Sequence, residues 1–269
     1  MNKFLLCFGL LICPITSFAD GYLNEYMVLF VSQEDPDLSP WKDHPQCIAH
    51  STPTAQKGIF ENQYTYQNGD ALTTIFLSPH KIKNGECEHL IHFPDDIEGS
   101  GVFESYYPNG KKRSQIEYQD GYYQGKIQFW FANGLKEQES SIINGESEGD
   151  YKIWHPNGQI ALSMKYKNGI ENGIRQRWYQ NGNPWTYATF QNNKLIGDLK
   201  MWFENGKLER QGSYRDGVRH NIYKIWYSDG QPEAILQYNL GKISSAQCWN
   251  QTGTSFSGQA CSNRYKDEQ

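Results

Sequence analysis

The stretch Leu199-Lys200-Met201-Trp202-Phe203-Glu204-Asn205-Gly206 decides the fold, because its aromatic pair and its Asn-Gly turn recur along the chain. The glycine that ends this stretch recurs every 24 residues without a slip, at Gly110, Gly134, Gly158, Gly182, Gly206 and Gly230. A constant period of this length is typical of a repeat protein, in which each unit packs only on its neighbours.

Aromatic residues keep the same period as the turn glycine. Four positions before each glycine stand, in chain order, Tyr106, Trp130, Trp154, Trp178, Trp202 and Trp226, with Trp249 before the later Gly253. The next position holds Tyr107, Phe131, His155, Tyr179, Phe203 and Tyr227. Eight positions after each turn glycine stand Tyr118, Ile142, Tyr166, Phe190, Tyr214 and Tyr238.

Each repeat predicts a β-hairpin. Asn-Gly between aromatic-rich segments is typical of a type I′ turn, whose two central residues need positive φ. We therefore expect a strand over 126–132, a turn at Asn133-Gly134, a returning strand over 135–143 and a looser turn over 145–149. Two further glycine series keep the period, and Asn193 and Asn221 fill their gaps; Asn also tolerates a left-handed backbone.

Alternation along the strands predicts two different faces for the sheet. In the stretch 223–227, Trp226 points to one face, while Tyr223, Ile225 and Tyr227 point to the other. We expect a ladder of Trp rings on one face, joined by the aromatic residue of the returning strand, and an apolar stripe on the other. Stacked hairpins can bury these residues, whereas a single hairpin cannot.

The predicted fold is all-β. An elongated antiparallel meander of 24-residue hairpins occupies residues 99–253, and a small β-rich module at 20–98 caps its first hairpin. Residues 254–269 form a cap or tail at the other end. Caps are expected because an exposed last hairpin leaves an unpaired sheet edge.

The N-terminus predicts export. Residues 1–19 combine Lys3, an apolar run over 4–12 and small residues at Ser17 and Ala19, which is typical of a cleaved signal peptide. A buried N-terminal helix and a lipoprotein attached through Cys13 are the alternatives. The predicted location is periplasmic or extracellular. The formal charge of −5 argues against a nucleic-acid partner.

Cysteine usage agrees with an oxidising compartment. Four cysteines remain after the signal peptide, and an even number in an exported protein suggests two disulfides. Of three pairings, we favour Cys47–Cys87 and Cys248–Cys261, because each pair then joins residues at one end of the chain.

The repeat pattern, Trp-(Tyr/Phe)-x-Asn-Gly-x7-(Tyr/Phe)-x2-Gly-x3-Gly, resembles the bacterial variant of the MORN repeat (membrane occupation and recognition nexus) over residues 101–253. Proteins with this repeat are often labelled antitoxin-like. The resemblance implies a binding or scaffolding surface for proteins or lipid headgroups. It also implies structural roles for the Trp and turn positions Trp130, Trp154, Trp178, Trp202, Trp226, Gly134, Gly158, Gly182, Gly206 and Gly230.

Chemical candidates are few outside the repeats. Cys47-x2-His50 and Cys87-x-His89-x2-His92 resemble metal-ligand spacings, but the spacing matches no familiar zinc finger, so we expect no metal. His155 and His220 are expected to be surface variations of the repeat. No nucleophile elbow, phosphate loop or dinucleotide fingerprint is found in the sequence, which predicts a non-enzymatic protein without a cofactor.

An aromatic stripe is the predicted binding site. Flat amphipathic rings left exposed on a sheet mark partner sites. We therefore expect Tyr107, Phe131, Tyr179, Phe203 and Tyr227 to contact a partner. The main hypothesis is an exported scaffold that binds a protein. Two alternatives stay open: a surface that binds carbohydrate or lipid headgroups, and an enzyme whose chemistry lies in residues 20–98.

Overall fold

A computed structural model describes residues 46–87, 93–94 and 96–265 of the chain. The predicted signal peptide, His44, His89 and His92 lie outside these residues. A small N-terminal sheet contains β1 (Gln46–Pro53), β2 (Phe60–Tyr66), β3 (Phe76–Ser78) and β4 (Gly85–Glu86). Its strand order is β3-β2-β1-β4.

The repeats form one 16-stranded antiparallel sheet. Its first strands are β5 (Gly101–Tyr106), β6 (Lys112–Gln119), β7 (Tyr122–Trp130), β8 (Lys136–Ile143), β9 (Glu146–Ser147), β10 (Gly149–Trp154), β11 (Ile160–Lys167) and β12 (Ile170–Glu171). The remaining strands are β13 (Gly173–Trp178), β14 (Pro184–Gln191), β15 (Lys194–Trp202), β16 (Leu208–Arg215), β17 (Val218–Trp226), β18 (Pro232–Asn239), β19 (Lys242–Trp249) and β20 (Ser255–Ser257). Helix α1 (Gln259–Arg264) follows.

The strand order confirms the predicted meander. From β5 to β20 each strand pairs with its neighbours in the chain, and the two-residue strands β9 and β12 add to β8 and β11. The elongated all-β repeat fold with a small N-terminal sheet is therefore as the 24-residue period predicted. No helix among the described residues is both long and apolar enough to cross a lipid bilayer.

Two kinds of turn alternate, and they are not distributed as expected. At the first Asn-Gly turn only Gly110 has positive φ (76°), and its N–H donates to the Tyr107 carbonyl oxygen at 2.9 Å. This is a type I turn closed by a left-handed glycine rather than a type I′ turn. The type I′ geometry lies at the second turns instead, as at Asn144 (φ 53°) and Gly145 (φ 80°). The expected looser turn is thus a tight one.

A β-bulge in the returning strand lies opposite the end of five Trp strands, and it decides which face the returning strand presents. These strands end in Trp130, Trp154, Trp178, Trp202 and Trp226. Opposite the Ile225–Trp226 step the returning strand carries one extra residue, Glu233. This extra residue reverses the simple count of alternation. Tyr238 therefore lies on the face of Tyr223 and Leu236, and the predicted joining of the returning-strand aromatics to the Trp ladder is wrong.

We call the two faces of the repeat sheet the core face and the Trp face. The core face bears a buried cluster that includes Leu199, Tyr223, Ile225 and Leu236. There the ring of Tyr223 makes edge-to-face contacts with two neighbouring tyrosine rings, at centroid distances of 6.4 Å to Tyr214 and 6.0 Å to Tyr238. The opposite face bears the half-buried tryptophans, namely Trp130, Trp154, Trp178, Trp202, Trp226 and Trp249.

Both ends of the sheet are covered. At the first edge, the Tyr106 N–H donates to the Leu72 carbonyl oxygen at 2.8 Å, and the Thr74 N–H donates to Glu104 at 2.9 Å. At the other end α1 places Cys261 and Tyr265 in the core cluster. The two predicted disulfides, Cys47–Cys87 and Cys248–Cys261, are both formed, with Cα–Cα distances of 5.1 and 5.6 Å.

Candidate functional site: the Trp face of the repeat sheet

Cross-strand pairing aligns one residue from each main strand in a single row across the Trp face. We call it the central row. Its members are Glu104, Gln115, Gln128, Glu139, Lys152, Ser163, Gln176, Tyr187, Lys200, Gln211, Lys224, Ile235, Gln247 and Ser257. Neighbouring strands lie about 4.8 Å apart, so equivalent residues of successive repeats are about 10 Å apart along this row.

Tryptophans flank the central row. Two residues after Gln176, Lys200 and Lys224, the same strands carry a Trp on the same face. On the other side of the row stand exposed aliphatic side chains: Ile174 is 46% exposed and Ile222 is 50% exposed. Ile235, within the row, is 37% exposed. The Trp face thus combines a polar ladder with apolar surface that the chain itself leaves in water.

The first half of the Trp face satisfies its own charges. Lys112 binds Glu104 at 2.6 Å, and Lys136 binds Glu139. The same two lysine ammonium groups lie over tryptophan rings, at 5.5 Å from the Trp130 centroid and 5.7 Å from that of Trp154. Cations above aromatic faces are attracted by the ring electrons. These rings are therefore partly covered by the protein's own side chains.

The carboxyl groups of this half respond to their lysines. Burial alone would raise the pKa of Glu104, but hydrogen bonds from Lys112 and Tyr106 outweigh it and hold that pKa below its ordinary value. The hydrogen bond from Lys136 lowers the pKa of Glu139 in the same way. Both groups therefore stay ionised at neutral pH and remain occupied by internal partners.

The second half of the Trp face, from β13 to β19, lacks such pairing. Within the part of the chain that the structure describes, Lys200 and Lys224 make no ion pair and no side-chain hydrogen bond. The rings of Trp178, Trp202 and Trp226 have no cation above them among the described residues. Gln211 lies on the strand between the two lysines and is the central-row neighbour of both. Charge and aromatic surface are thus both available here.

The predicted aromatic stripe joins one repeat to the next. Tyr107, Tyr179 and Tyr227 each donate a hydroxyl hydrogen bond to the Trp carbonyl oxygen of the following repeat, at 2.8, 2.8 and 2.9 Å. Tyr107 and Phe131 are buried, whereas Tyr179, Phe203 and Tyr227 are half-buried. The stripe is thus largely structural in its contacts, and its role in binding stays a prediction.

His155 fills a position of this stripe rather than a surface site. Its imidazole is buried, and its Nε2 lies 2.9 Å from the Trp178 carbonyl oxygen. It therefore makes the contact that a tyrosine makes in other repeats, so the expectation of a surface variation is wrong for this residue. The sequence did contain a signal for this role, because His, like Tyr, carries a polar atom at the end of its ring that can bond a backbone carbonyl oxygen.

Turn asparagines add a second set of connections between repeats. Each side-chain amide donates to a carbonyl oxygen of the next turn, 23 residues on. The pairs are Asn109–Ala132, Asn133–Pro156, Asn157–Gln180, Asn181–Glu204 and Asn205–Ser228. Asn therefore does more than turn the chain, and an Asp could not replace this donor.

Buried charges on the core face were missed at the sequence level. Arg175 pairs with Glu171, and its guanidinium lies 4.2 Å from the Phe190 ring centroid. Burial, with repulsion from Arg175, lowers the pKa of Arg177 to about 10. Both arginines occupy positions where neighbouring repeats have Leu199 and Met201. The presence of arginine where the next repeat has an apolar residue was the sequence signal for these buried charges.

The N-terminal histidines form no metal site that the structure describes. Cys47 and Cys87 are joined to each other and so cannot act as thiolate ligands. His50 Nε2 lies 2.9 Å from the Thr65 hydroxyl, and His80 is exposed, 3.9 Å from Asp96. Among the described residues, no group of three His, Cys, Asp or Glu side chains converges as metal ligands would.

The fold defines the class of protein: an array of antiparallel β-hairpin repeats stacked edge to edge. The family model of the MORN repeat variant matches five segments, residues 100–120, 147–168, 171–192, 195–216 and 219–240. The five matched segments between residues 100 and 240 are thus similar to MORN repeats, and this repeat family is in general not enzymatic. The matches leave out residues 121–146, yet β7 and β8 form the same hairpin. A comparison with curated proteins finds no match.

Proposed function

We propose that this chain is an exported scaffold whose Trp face binds a protein partner. The observation that carries the proposal is the central row itself, an uninterrupted ladder of side chains flanked by half-buried Trp rings and exposed isoleucines. Protein interfaces combine an apolar centre with a polar rim, and they are enriched in Trp and Tyr. Ile174, Ile222 and Ile235 would supply the apolar contacts, and the glutamines and lysines the polar ones.

Export is the second part of the proposal. Two disulfides suit an oxidising compartment, where such bonds persist. The apolar segment over 4–12 supplies the expected signal. Fractionation of cells that produce the native sequence tests this: the mature protein should start at Asp20 and appear outside the cytoplasm. Recovery of the uncleaved chain in the cytoplasm with free thiols would overturn it.

A photo-crosslinker placed on the Trp face tests partner binding. Gln211 lies in the central row, so a benzoylphenylalanine there should capture a discrete protein band in the native compartment. Gln56 lies in an exposed loop of the N-terminal sheet and serves as the matched control site. Absence of a protein band from several central-row positions, with retention on polysaccharide or on liposomes instead, would favour a carbohydrate or lipid-headgroup surface.

The half-buried members of the aromatic stripe are the partner contact that the sequence predicts, and they are tested separately from the Trp face. Joint substitution of Tyr179, Phe203 and Tyr227 should weaken capture of the partner. Because Tyr179 and Tyr227 also hold the following repeats, the same variant must be shown to stay folded by its circular dichroism and its unfolding midpoint. Undiminished capture by a folded variant would exclude the stripe from the interface.

A further inference from the structure

The two halves of the Trp face differ in charge balance. In the first half, four lysines pair with three acids. The pairs are Lys112 with Glu104, Lys136 with Glu139, and Lys152 and Lys165 with Asp150. In strands β14 to β19, the pairing register places five cationic side chains on the Trp face but only one carboxylate, that of Asp198. These cations are Lys194, Lys200, Arg215, Lys224 and Lys242.

This local excess is opposite to the charge of the whole chain, which is −5. A positive patch on an acidic protein selects an acidic partner, because complementary potentials favour the encounter and like charges oppose it. Lys200 and Lys224 are the central pair of the patch. Neither has an internal acidic partner among the described residues, so neither must give one up on binding.

The apolar side chains beside these lysines decide between classes of acidic ligand. Ile222 and Ile235 adjoin Lys224 on the sheet and are exposed. Aliphatic branches gain free energy when apolar groups cover them, at about 25 cal/mol per Å². A polypeptide offers Leu, Val or Phe side chains for this purpose, whereas an acidic polysaccharide offers hydroxyl-rich rings.

We propose that the second half of the Trp face, from β13 to β19, binds a segment of a protein partner that is both acidic and apolar. The inference rests on the proposed function, and it names the chemistry of the partner. Lys200 and Lys224 pair with carboxylates, while Trp202, Trp226 and the neighbouring isoleucines take apolar side chains.

The spacing of the lysines sets the spacing of the acids. Lys200 and Lys224 stand two strands apart, a separation of about 10 Å. An extended peptide covers that distance in about three residues. A helix covers it in about seven residues, or two turns. Because side chains of an extended strand alternate between its two faces, an extended segment should carry acids two or four residues apart, whereas a helical segment should carry them seven apart.

Selection from a phage-displayed library of random peptides tests the proposal on the full chain. The expected result is enrichment of peptides with Asp or Glu at these spacings beside Leu, Ile or Phe. A synthetic enriched peptide should bind the K200Q/K224Q variant roughly tenfold more weakly and should lose affinity at high salt. The matched control is K152Q/K165Q, which changes the net charge equally but removes lysines already paired with Asp150.

Several outcomes would overturn the proposal. Enriched peptides without acids would do so, as would equal binding of an acidic peptide to the wild type and to K200Q/K224Q. Retention on polygalacturonate without peptide binding would point to a glycan, and self-association lost in K200Q/K224Q would point to a second copy of this chain. A crosslink from Gln211 to a protein whose contact segment lacks acids would keep the proposed function and refute this inference alone.

Discussion

At the residue scale, the array is held by side chains that reach from one repeat to the backbone of the next. The hydroxyl of Tyr179 donates to the Trp202 carbonyl oxygen at 2.8 Å, and His155 makes the equivalent contact one repeat earlier. Phe131 and Phe203 fill the same position without a polar tip. The ring is therefore needed at every repeat, whereas the hydrogen bond is used only at some.

This division predicts a modest cost for Tyr179→Phe. The ring and its packing remain, and the loss of one neutral hydrogen bond costs about 0.5–1.5 kcal/mol of unfolding free energy. Urea unfolding followed by tryptophan fluorescence measures the change. Tyr122→Phe is the control, because Tyr122 is 69% exposed. Equal effects of the two substitutions would contradict a connecting role for the Tyr179 hydroxyl.

At the element scale, the second turns have a common geometry with one unusual member. Their first positions are left-handed and are occupied by Asp120, Asn144, Asn168, Asn192 and Asp216, but by Leu240 (φ 48°) in the last repeat. A branched aliphatic residue is strained in this region, whereas Asn and Asp visit it readily. Leu240 is 60% exposed, so packing does little to offset that strain.

Leu240→Asn should therefore stabilise the protein by about 1 kcal/mol, since a left-handed conformation costs most residues roughly 1–2 kcal/mol. The measurement is the midpoint of urea unfolding. Leu240→Ala keeps a Cβ without the Asn side chain, and it should bring no comparable gain. A loss of stability in Leu240→Asn would instead show that the leucine side chain contributes packing in solution.

The C-terminal cap is the other element with a separable role. Cys261 and Tyr265 pack on the core face beside Leu236, and the disulfide to Cys248 closes a loop with a sequence separation of 13 residues. A loop of about 15 residues gains roughly 3 kcal/mol from such a bond in the chain-entropy account.

Cys261→Ser should therefore loosen α1 and raise amide hydrogen exchange in β18 to β20, while exchange in β1 and β2 stays as in the wild type. The effect is local because the units of a repeat protein contact only their neighbours. Uniform loss of protection along the whole array would contradict this, and so would unchanged exchange at the C-terminal strands.

At the scale of the whole molecule, several tyrosines of the sheet are kept neutral. Burial raises the pKa of Tyr151 to about 12, with smaller contributions from Tyr166 and Glu137. Burial also raises the pKa of Tyr64, Tyr118 and Tyr166. The folded state therefore holds these protons at a pH where the unfolded chain has released them.

Stability should accordingly be full below about pH 10 and fall as the pH rises from about 10 to 12, because the unfolded state then binds fewer protons than the folded state. Tyr151→Phe should remove part of this loss, on the order of 1–2 kcal/mol at the alkaline end. Unfolding free energies at pH 8 and pH 11 measure it, with Tyr122→Phe as the exposed control. An equal alkaline loss in both variants would contradict the assignment to Tyr151.

The sequence by itself determined the repeat and the all-β class, because turn glycines and strand aromatics are local or periodic signals. It favoured the two disulfide pairings only by proximity along the chain, and the structure forms both. Tertiary structure alone decided which face the returning strands present. One bulge residue per hairpin, such as Glu233, moved Tyr238 to the core face, and this shift is invisible to simple alternation. The pairing register also decided which lysines form ion pairs: Lys112 has Glu104 within reach, whereas the residue opposite Lys200 is Gln211. Whether a charged side chain is paired depends on which side chains lie beside it on the neighbouring strands.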